Sequence, residues 1–387
     1  MRMQHKMASI LSAGMLLLSG NATAQIMDSP ASHAVIMDHE TGAILWSKNG
    51  SEPMVPASMT KMMTAYLIFE LVDRGEIELT DKITVSADAW RRGGFPSGTS
   101  TMGLKPKDTP TVEELLHGVI IMSGNDACIA LAQGISGSEE AFAERMTALA
   151  HEKGLKSASF KNATGLESVD HVISAEDLAK LARMTIEDFP QYYDWYDDEN
   201  YTWREYTQAN RNPLLGIEGA DGLKTGHLEI SGYGLTGSAE RDGVRRTIVI
   251  NGLPSSAARR AESQRLLRIA FKSFETKILG PENVTLPDMK VWMGQERMLP
   301  VSLAETASIP AHKAAFEKAT SKIVLDGPLK APVEKGSVVG RYVVEIEGQD
   351  AVEIPVIADI SIASLGFFGR AIEGLSTFVT NSDAETE

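Results

Sequence analysis

A single cysteine, Cys128, occurs in 387 residues. An intramolecular disulfide is therefore impossible, zinc-finger and haem-attachment patterns are excluded, and stability must come from packing. Positive charge is also short: 37 Lys and Arg face 52 Asp and Glu, a formal net charge of −15. A surface of that sign is a poor partner for nucleic acid and favours solubility. The chain shows no internal repeat and no low-complexity linker. It also lacks a run of about twenty apolar residues that could form a spanning helix.

What is present begins with an export signal. Arg2 and Lys6 make a basic start, Ile10 to Leu18 is a short apolar run, and Ala22-Thr23-Ala24 is a small-X-small cleavage site. Residues 1–24 are expected to be removed, leaving a mature chain that begins near Gln25, outside the cytoplasm. That chain has 35 basic and 52 acidic residues, a net charge of about −17. At 43% hydrophobic and 23% charged, it is ordinary globular material long enough for two domains.

Strand and helix signals fall into blocks. Ala34 to Asp38 and Ala43 to Trp46 read as a hairpin around His39-Glu40-Thr41-Gly42. Pro56 opens a helix whose apolar residues run almost without break from Ala57 to Leu71, as in a helix buried on most sides. Thr111 with Glu114 forms a capping box. Further helices are expected from Asp126 to Gln133, stopped by Gly134, and from Ser138 to Lys153, stopped by Gly154. Another starts at Ser174 and runs to about Thr185. A sheet begins at Lys224, with Gly232 to Gly237 and Val244 to Asn251 flanking Arg241-Asp242-Gly243, and Ala257 to Phe274 returns to helix. This order predicts an α/β domain with a mostly antiparallel sheet and a helical cluster, residues 25–279. Beyond Gly280-Pro281, Val-rich runs at Lys322–Leu325, Ser337–Arg341 and Tyr342–Ile346 predict a small all-β domain, 280–358. In the tail, 359–387, Leu365, Phe368, Ile372, Leu375 and Val379 recur at helical spacing. An amphipathic helix there can lie in a membrane interface, or pack on its own β domain or a partner chain.

Three short motifs carry chemistry: Ser58-Met59-Thr60-Lys61, Ser123-Gly124-Asn125 and Lys224-Thr225-Gly226. Each alone is weak, but their order is the pattern of an active-site serine acyltransferase. A serine hydroxyl attacks a carbonyl only when a base takes its proton, and Lys61, three residues along a helix, reaches Ser58. The lysine must be neutral to serve. Burial among Met59, Met62 and Met63, and a second positive charge at Lys224, both favour that form, although Lys224 is an equally good candidate for the neutral amine. Ser123 can relay the proton to a leaving group, and Asn125 can offer its amide to a peptide substrate. Lys224 supplies positive charge, Thr225 a hydroxyl for a carboxylate, and Gly226 room for a substrate against the strand. The backbone amides of Ser58 and His227 are the expected oxyanion donors. The His227 imidazole has no assigned part. Cys128, three positions after Asn125, is expected near the cleft wall, where a bulky thiol reagent would slow acylation. This chemistry requires neither cofactor nor metal.

The chain resembles the serine-type D-alanyl-D-alanine carboxypeptidases, the low-molecular-mass penicillin-binding proteins of bacteria. The resemblance rests on Pro56 to Thr64, Gly103-Leu104-Lys105-Pro106, Ser123 to Cys128, Asp221 to His227 and Ser231-Gly232-Tyr233, and covers about 30–270. It implies a penicillin-binding/β-lactamase-like fold and removal of the terminal D-alanine from peptidoglycan pentapeptides through an acyl-enzyme at Ser58. It also implies covalent inhibition by β-lactams and a tail that contacts the outer face of the cytoplasmic membrane. By family position Arg211 assists the substrate carboxylate or sits in a surface salt bridge, and Arg259 has a similar claim. A class A β-lactamase would need a carboxylate to activate water, and between Ser123 and Lys224 only Asn162-Ala163-Thr164-Gly165-Leu166 stands where one is expected. An endopeptidase cutting D-alanyl cross-links, and a non-catalytic penicillin-binding scaffold, are the remaining alternatives.

Overall fold

Alternation along the first strand decides the architecture. In β1 (His33–Asp38), Val35 and Met37 belong to one apolar cluster and Ala34 and Ile36 to another, and all four are fully buried. A strand buried on both faces must lie inside a sheet covered on both sides. The computed structural model, which describes residues 27–369 apart from 326 and 348, contains that sheet. Its other strands are β2 (Ile44–Lys48), β3 (Ala220–Leu228), β4 (Gly232–Arg241) and β5 (Val244–Leu253), in the order β2-β1-β5-β4-β3, every neighbour antiparallel. Asp242 and Gly243 both take positive φ, which gives the β4–β5 hairpin the turn matched to strand twist.

One face is covered by the helix Ser256–Lys272, whose Leu266, Leu267 and Ala270 meet Ala34, Ile36, Ile248 and Ile250. The helical cluster covers the other. At its centre is α1 (Lys61–Asp73), buried on every side from Lys61 to Phe69. It packs against α2 (Val112–Ile120), α4 (Glu139–Glu152) and α5 (Ala175–Asp188), with α3 (Asn125–Ser136) between α2 and α4. The expected capping box is present: Thr111 accepts from the Glu114 amide, and the Glu114 carboxylate accepts from the Thr111 amide. Ser138 and Ser174 cap α4 and α5 more simply, each hydroxyl accepting from the amide three residues on.

Three local expectations need correction. Helix α3 runs through Gly134 to Ser136 and is stopped by Gly137 at φ +79°. Gly134 is there for packing, because a Cβ would lie 2.7 Å from the Ile83 side chain. Lys224 sits in the middle of β3, not at its start. The runs at 337–341 and 342–346 form one strand, Val338–Glu345, since no turn residue separates them.

The C-terminal part is all β. Strands β6 (Phe274–Leu279) and β8 (Ala307–His312) pair, and β7 (Val301–Leu303), β9 (Thr320–Leu325), β10 (Val338–Glu345) and β11 (Val352–Ala358) form a sheet in the order β7-β11-β10-β9. Leu299, Leu303, Ile354, Val356 and Ala358 fill its core. The expected tail helix needs correction at its start, since 359–366 is not helical and Ile362 and Ser364 pair with Val333 and Gly294 in the β domain; the export signal at 1–24 and the tail beyond 369 lie outside the described residues. Among the described residues no helix is long and apolar enough to cross a membrane.

The two parts meet at a buried ion pair. The guanidinium of Arg246, 1% exposed, donates to the Asp38 carboxylate and to the Thr276 hydroxyl, which itself donates to Asp38. Removing one member leaves the other charge buried and uncompensated. Asp38→Ala is expected to cost about 3–5 kcal/mol in urea unfolding; a wild-type midpoint would show that the pair does not fasten β6 to the main sheet.

Candidate active site

Ser58 lies on one turn of 3-10 helix, Ala57–Thr60, that runs directly into α1. Side chains three apart eclipse in that geometry, and Lys61 Nζ stands 2.9 Å from Ser58 Oγ. Ser58 is half-buried, whereas Lys61 is 1% exposed. The amine also donates to Asn125 Oδ1 at 2.7 Å and to the Thr164 carbonyl at 2.5 Å. Its surroundings are thus oxygen, not the expected methionine lining. Met59 is turned toward the sheet, within reach of Gly226 and Gly234 and the Thr236 hydroxyl, and Met62 and Met63 belong to the apolar core. Burial lowers Lys61 from 10.5 to about 8.

Ser123 and Lys224 form a second pair. Ser123, 1% exposed, precedes α3 at φ +57°, and Lys224 Nζ is 3.0 Å from its Oγ. Lys224 is held well below its ordinary pKa, first by burial and then by the charge of Lys61. Lys61 has three oxygen acceptors to stabilise a charge; Lys224 has the Ser123 hydroxyl and, at 3.4 Å, the Thr225 carbonyl. The stronger push toward neutrality therefore falls on Lys224.

The other expected residues surround these pairs. Both ends of the Asn125 amide are engaged: Oδ1 accepts from Lys61, and Nδ2 donates to Thr99 Oγ1 at 2.9 Å. Thr225 is buried beside Lys224. At Gly226 a Cβ would lie 2.6 Å from the Pro56 carbonyl and 3.3 Å from Met59 Cγ, so the nucleophile turn, not substrate, demands the glycine. His227 is exposed and stacks on Tyr233 at 3.8 Å. Among the described residues Arg211 makes no ion pair: its guanidinium donates to Ser100 Oγ and Gln208 Oε1. Arg259 is more buried and reaches the Gly226 carbonyl at 3.4 Å, its guanidinium over the Tyr233 ring.

Several participants escaped the sequence reading. The Thr164 carbonyl is aimed at Lys61 by a loop that Asn162 closes, its Oδ1 accepting from the Thr164 amide and hydroxyl and the Gly165 amide. Gly165, at φ +77°, presses that loop onto the nucleophile turn, where a Cβ would meet the Ala57 carbonyl at 1.9 Å. Asp126 gathers the segment after Thr99, accepting from the Thr101 hydroxyl and the amides of Met102, Gly103 and Leu104. Main-chain acceptors have no residue signature; the Asn-X-Thr-Gly turn was the available signal.

Such an arrangement makes the chain a serine-dependent acyl-transfer enzyme: an alcohol within reach of a buried amine, with a second hydroxyl and amine beside it. A family model described as D-alanyl-D-alanine carboxypeptidase matches residues 20–254, and one described as penicillin-binding protein 5, C-terminal domain, matches 274–364. D-alanyl-D-alanine carboxypeptidase DacC of Escherichia coli strain K12 is 35% identical over 357 residues, covering 90% of this chain and 89% of that one. Among solved structures, penicillin-binding protein 5 from Haemophilus influenzae superposes with a TM-score of 0.71 at 33% identity, covering 87% of this chain and 98% of that one. The ampicillin-bound form of penicillin-binding protein D2 from Listeria monocytogenes gives 0.55 at 28% identity, over 64% and 99%. This chain belongs to the D-alanyl-D-alanine carboxypeptidase family.

The expectation for Cys128 needs correction. The thiol is fully buried and burial pushes it up to about 12, so reagent cannot reach it and almost no thiolate is present. A chromogenic disulfide reagent at about pH 8 is expected to titrate one thiol in urea and none in the native protein. Rapid native labelling would mean that α3 opens toward solvent.

Proposed function

We propose that this protein is a serine-type D-Ala-D-Ala carboxypeptidase that removes the terminal D-alanine from peptidoglycan stem pentapeptides through an acyl-enzyme at Ser58. The observation that carries the reading is the 2.9 Å contact between Ser58 Oγ and the buried, pKa-lowered amine of Lys61. Ser58 Oγ attacks the scissile carbonyl while Lys61 takes its proton. The developing oxyanion receives the backbone N–H groups of Ser58 and His227. The C–N bond breaks as Ser123 gives its proton to the departing amine and recovers one from the Lys61 ammonium, with Lys224 holding the Ser123 oxygen; water then attacks the ester, Lys61 takes its proton and that proton returns to Ser58 Oγ. Thr225 and Arg211 receive the free carboxylate, Asn125 holds Lys61 and the peptide backbone, and Gly226 keeps β3 against the nucleophile turn. β-Lactams offer the same carbonyl in a ring and remain attached.

A β-lactamase would need a free carboxylate beside Ser58 to activate water. Buried Glu139 accepts instead from the Ala163 amide and from Arg92, and Asp126 is occupied by the 101–104 segment. With those two carboxylates engaged, slow release of the acyl group is expected.

Location follows from the ends of the chain. Residues 1–24 read as a signal peptide, the enzyme works in the periplasm or its extracytoplasmic equivalent, and the tail rests on the membrane surface only beyond Ser364, because Ile362 and Ser364 still pair with Val333 and Gly294 of the β domain. The pairing of Phe274–Leu279 with Ala307–His312 supports a boundary between the acyltransferase and β domains near residue 273, ahead of the 279 expected from composition.

Purified mature protein incubated with a fluorescent penicillin and with a pentapeptide ending in D-Ala-D-Ala is expected to give a slowly released adduct and free D-alanine. Ser58→Ala should give neither. Rapid penicillin turnover without D-alanine would indicate a lactamase, release only from cross-linked dimers an endopeptidase, and labelling without turnover a scaffold. Because the neutral form of Lys61 is the base, acylation should quicken as pH rises, with a midpoint of about 8. A rate that stays level between about pH 6 and 10 in stopped-flow labelling would remove Lys61 from that role.

A further inference from the structure

The nucleophile turn and the loop that presents Thr164 are 103 residues apart in sequence. They are joined by a side chain that the acyl-transfer chemistry does not use. His171 is 1% exposed, and both ring nitrogens are engaged: Nδ1 accepts from the Lys161 amide at 3.1 Å, and Nε2 lies 2.8 Å from Thr60 Oγ1. Since Nδ1 accepts, the neutral ring carries its proton on Nε2 and donates to the Thr60 hydroxyl. Charging the ring would set a second N–H against the Lys161 amide. Burial, with the charges of Lys161 and Lys61, pushes the imidazole down to about 4, so one tautomer persists at working pH.

The ring has little freedom. Phe160 meets it edge-on at 5.6 Å, and the main chain beside it is paired both ways between Ser159 and Val172. Its two partners flank the machinery. Thr60 lies between the nucleophile Ser58 and the base Lys61, and Lys161 starts the stretch holding Asn162, Thr164 and Gly165. Gly165 is already pressed on the Ala57 carbonyl, and a Cβ there would be 2.8 Å from Thr60 Oγ1. A tether between Lys161 and Thr60 therefore closes a ring: Thr60, His171, Lys161, Thr164, Lys61 and back along the helix.

We propose that His171 is a positioning residue for acyl transfer: as a neutral, Nε2-protonated imidazole it ties the 161–165 loop to Thr60, and so holds the Thr164 carbonyl on Lys61 and Lys61 on Ser58. The inference rests on the serine–lysine reading above and deepens it. His171 is 1% exposed and both its ring nitrogens are taken by Thr60 and Lys161, so it acts on the rate constant of acylation and not on noncovalent affinity.

Stopped-flow labelling of the mature protein with a fluorescent penicillin separates three quantities: noncovalent dissociation constant, acylation rate constant and fraction labelled at saturation. In His171→Ala the rate constant is expected to fall roughly tenfold while the other two keep their wild-type values. His171→Gln, whose amide can accept from Lys161 and donate to Thr60, should recover most of the loss. Thr60→Val, which removes the acceptor at the other end without changing volume, should reproduce the deficit with His171 intact, and it decides the matter if the alanine variant does not fold. A wild-type rate constant in His171→Ala or Thr60→Val overturns the proposal. So does a loss confined to the labelled fraction, which marks a structural role alone, or a glutamine variant as slow as alanine. Ser58→Ala serves as the control: labelling that persists there sinks the serine reading itself, whereas unlabelled Ser58→Ala beside a normal His171→Ala removes only the tether.

Discussion

An ammonium group 1% exposed to water has to be met by oxygen from the protein, because an isolated charge in an apolar interior costs far more than any single contact returns. Lys61 meets this demand with Ser58 Oγ, Asn125 Oδ1 and the Thr164 carbonyl, which come from the nucleophile turn, the start of α3 and the loop before α5. No one of these segments can supply the set. The same desolvation lowers the amine to about 8, where a useful fraction is neutral and able to take a proton from the hydroxyl it touches. Burial that would be a defect elsewhere is what favours the neutral, basic form of the amine, the property the proposed mechanism uses, and the three acceptors stabilise it when charged.

A second buried amine next to the first sharpens the effect. Burial holds Lys224 well below its ordinary pKa, and the charge of Lys61 pushes in the same direction. Lys224 is carried by β3, which is an edge of the sheet. Close approach of that strand to the nucleophile turn depends on Gly226, and approach of the Thr164 loop to the same turn depends on Gly165. Ala57 and Ser123 take left-handed backbone at φ +50° and +57°, conformations that residues with a Cβ adopt only when their surroundings insist. They sit directly before Ser58 and at Ser123, so the strain is concentrated at the two serines that contact the buried amines.

Around that centre the scaffold is rigid for ordinary reasons. Both faces of the sheet are covered, α1 is buried on all sides, and α2, α4 and α5 begin on capping side chains. The β domain is coupled to this core through Arg246, Asp38 and Thr276. Family models cover both parts in the same order.

Residue types alone determined the class of chemistry here, because Ser58, Lys61, Ser123 and Lys224 are recognisable by identity and spacing, and three positions along a helix set Ser58 beside Lys61. Periodicity and caps likewise determined the helical cluster, the Arg241-Asp242-Gly243 hairpin and the all-β character of the C-terminal part. Tertiary structure decided what surrounds the amines: oxygen in place of methionine sulfur, the main-chain carbonyl of Thr164, the closed Asn125 amide, and His171 standing between Thr60 and Lys161. Tertiary structure also decided that Cys128 faces inward and that Gly226 serves the nucleophile turn. The division has a physical cause. Spacing along a helix or strand is local and repeats with a known period, whereas a carbonyl has no residue identity and a close approach between distant segments exists only after the chain has packed.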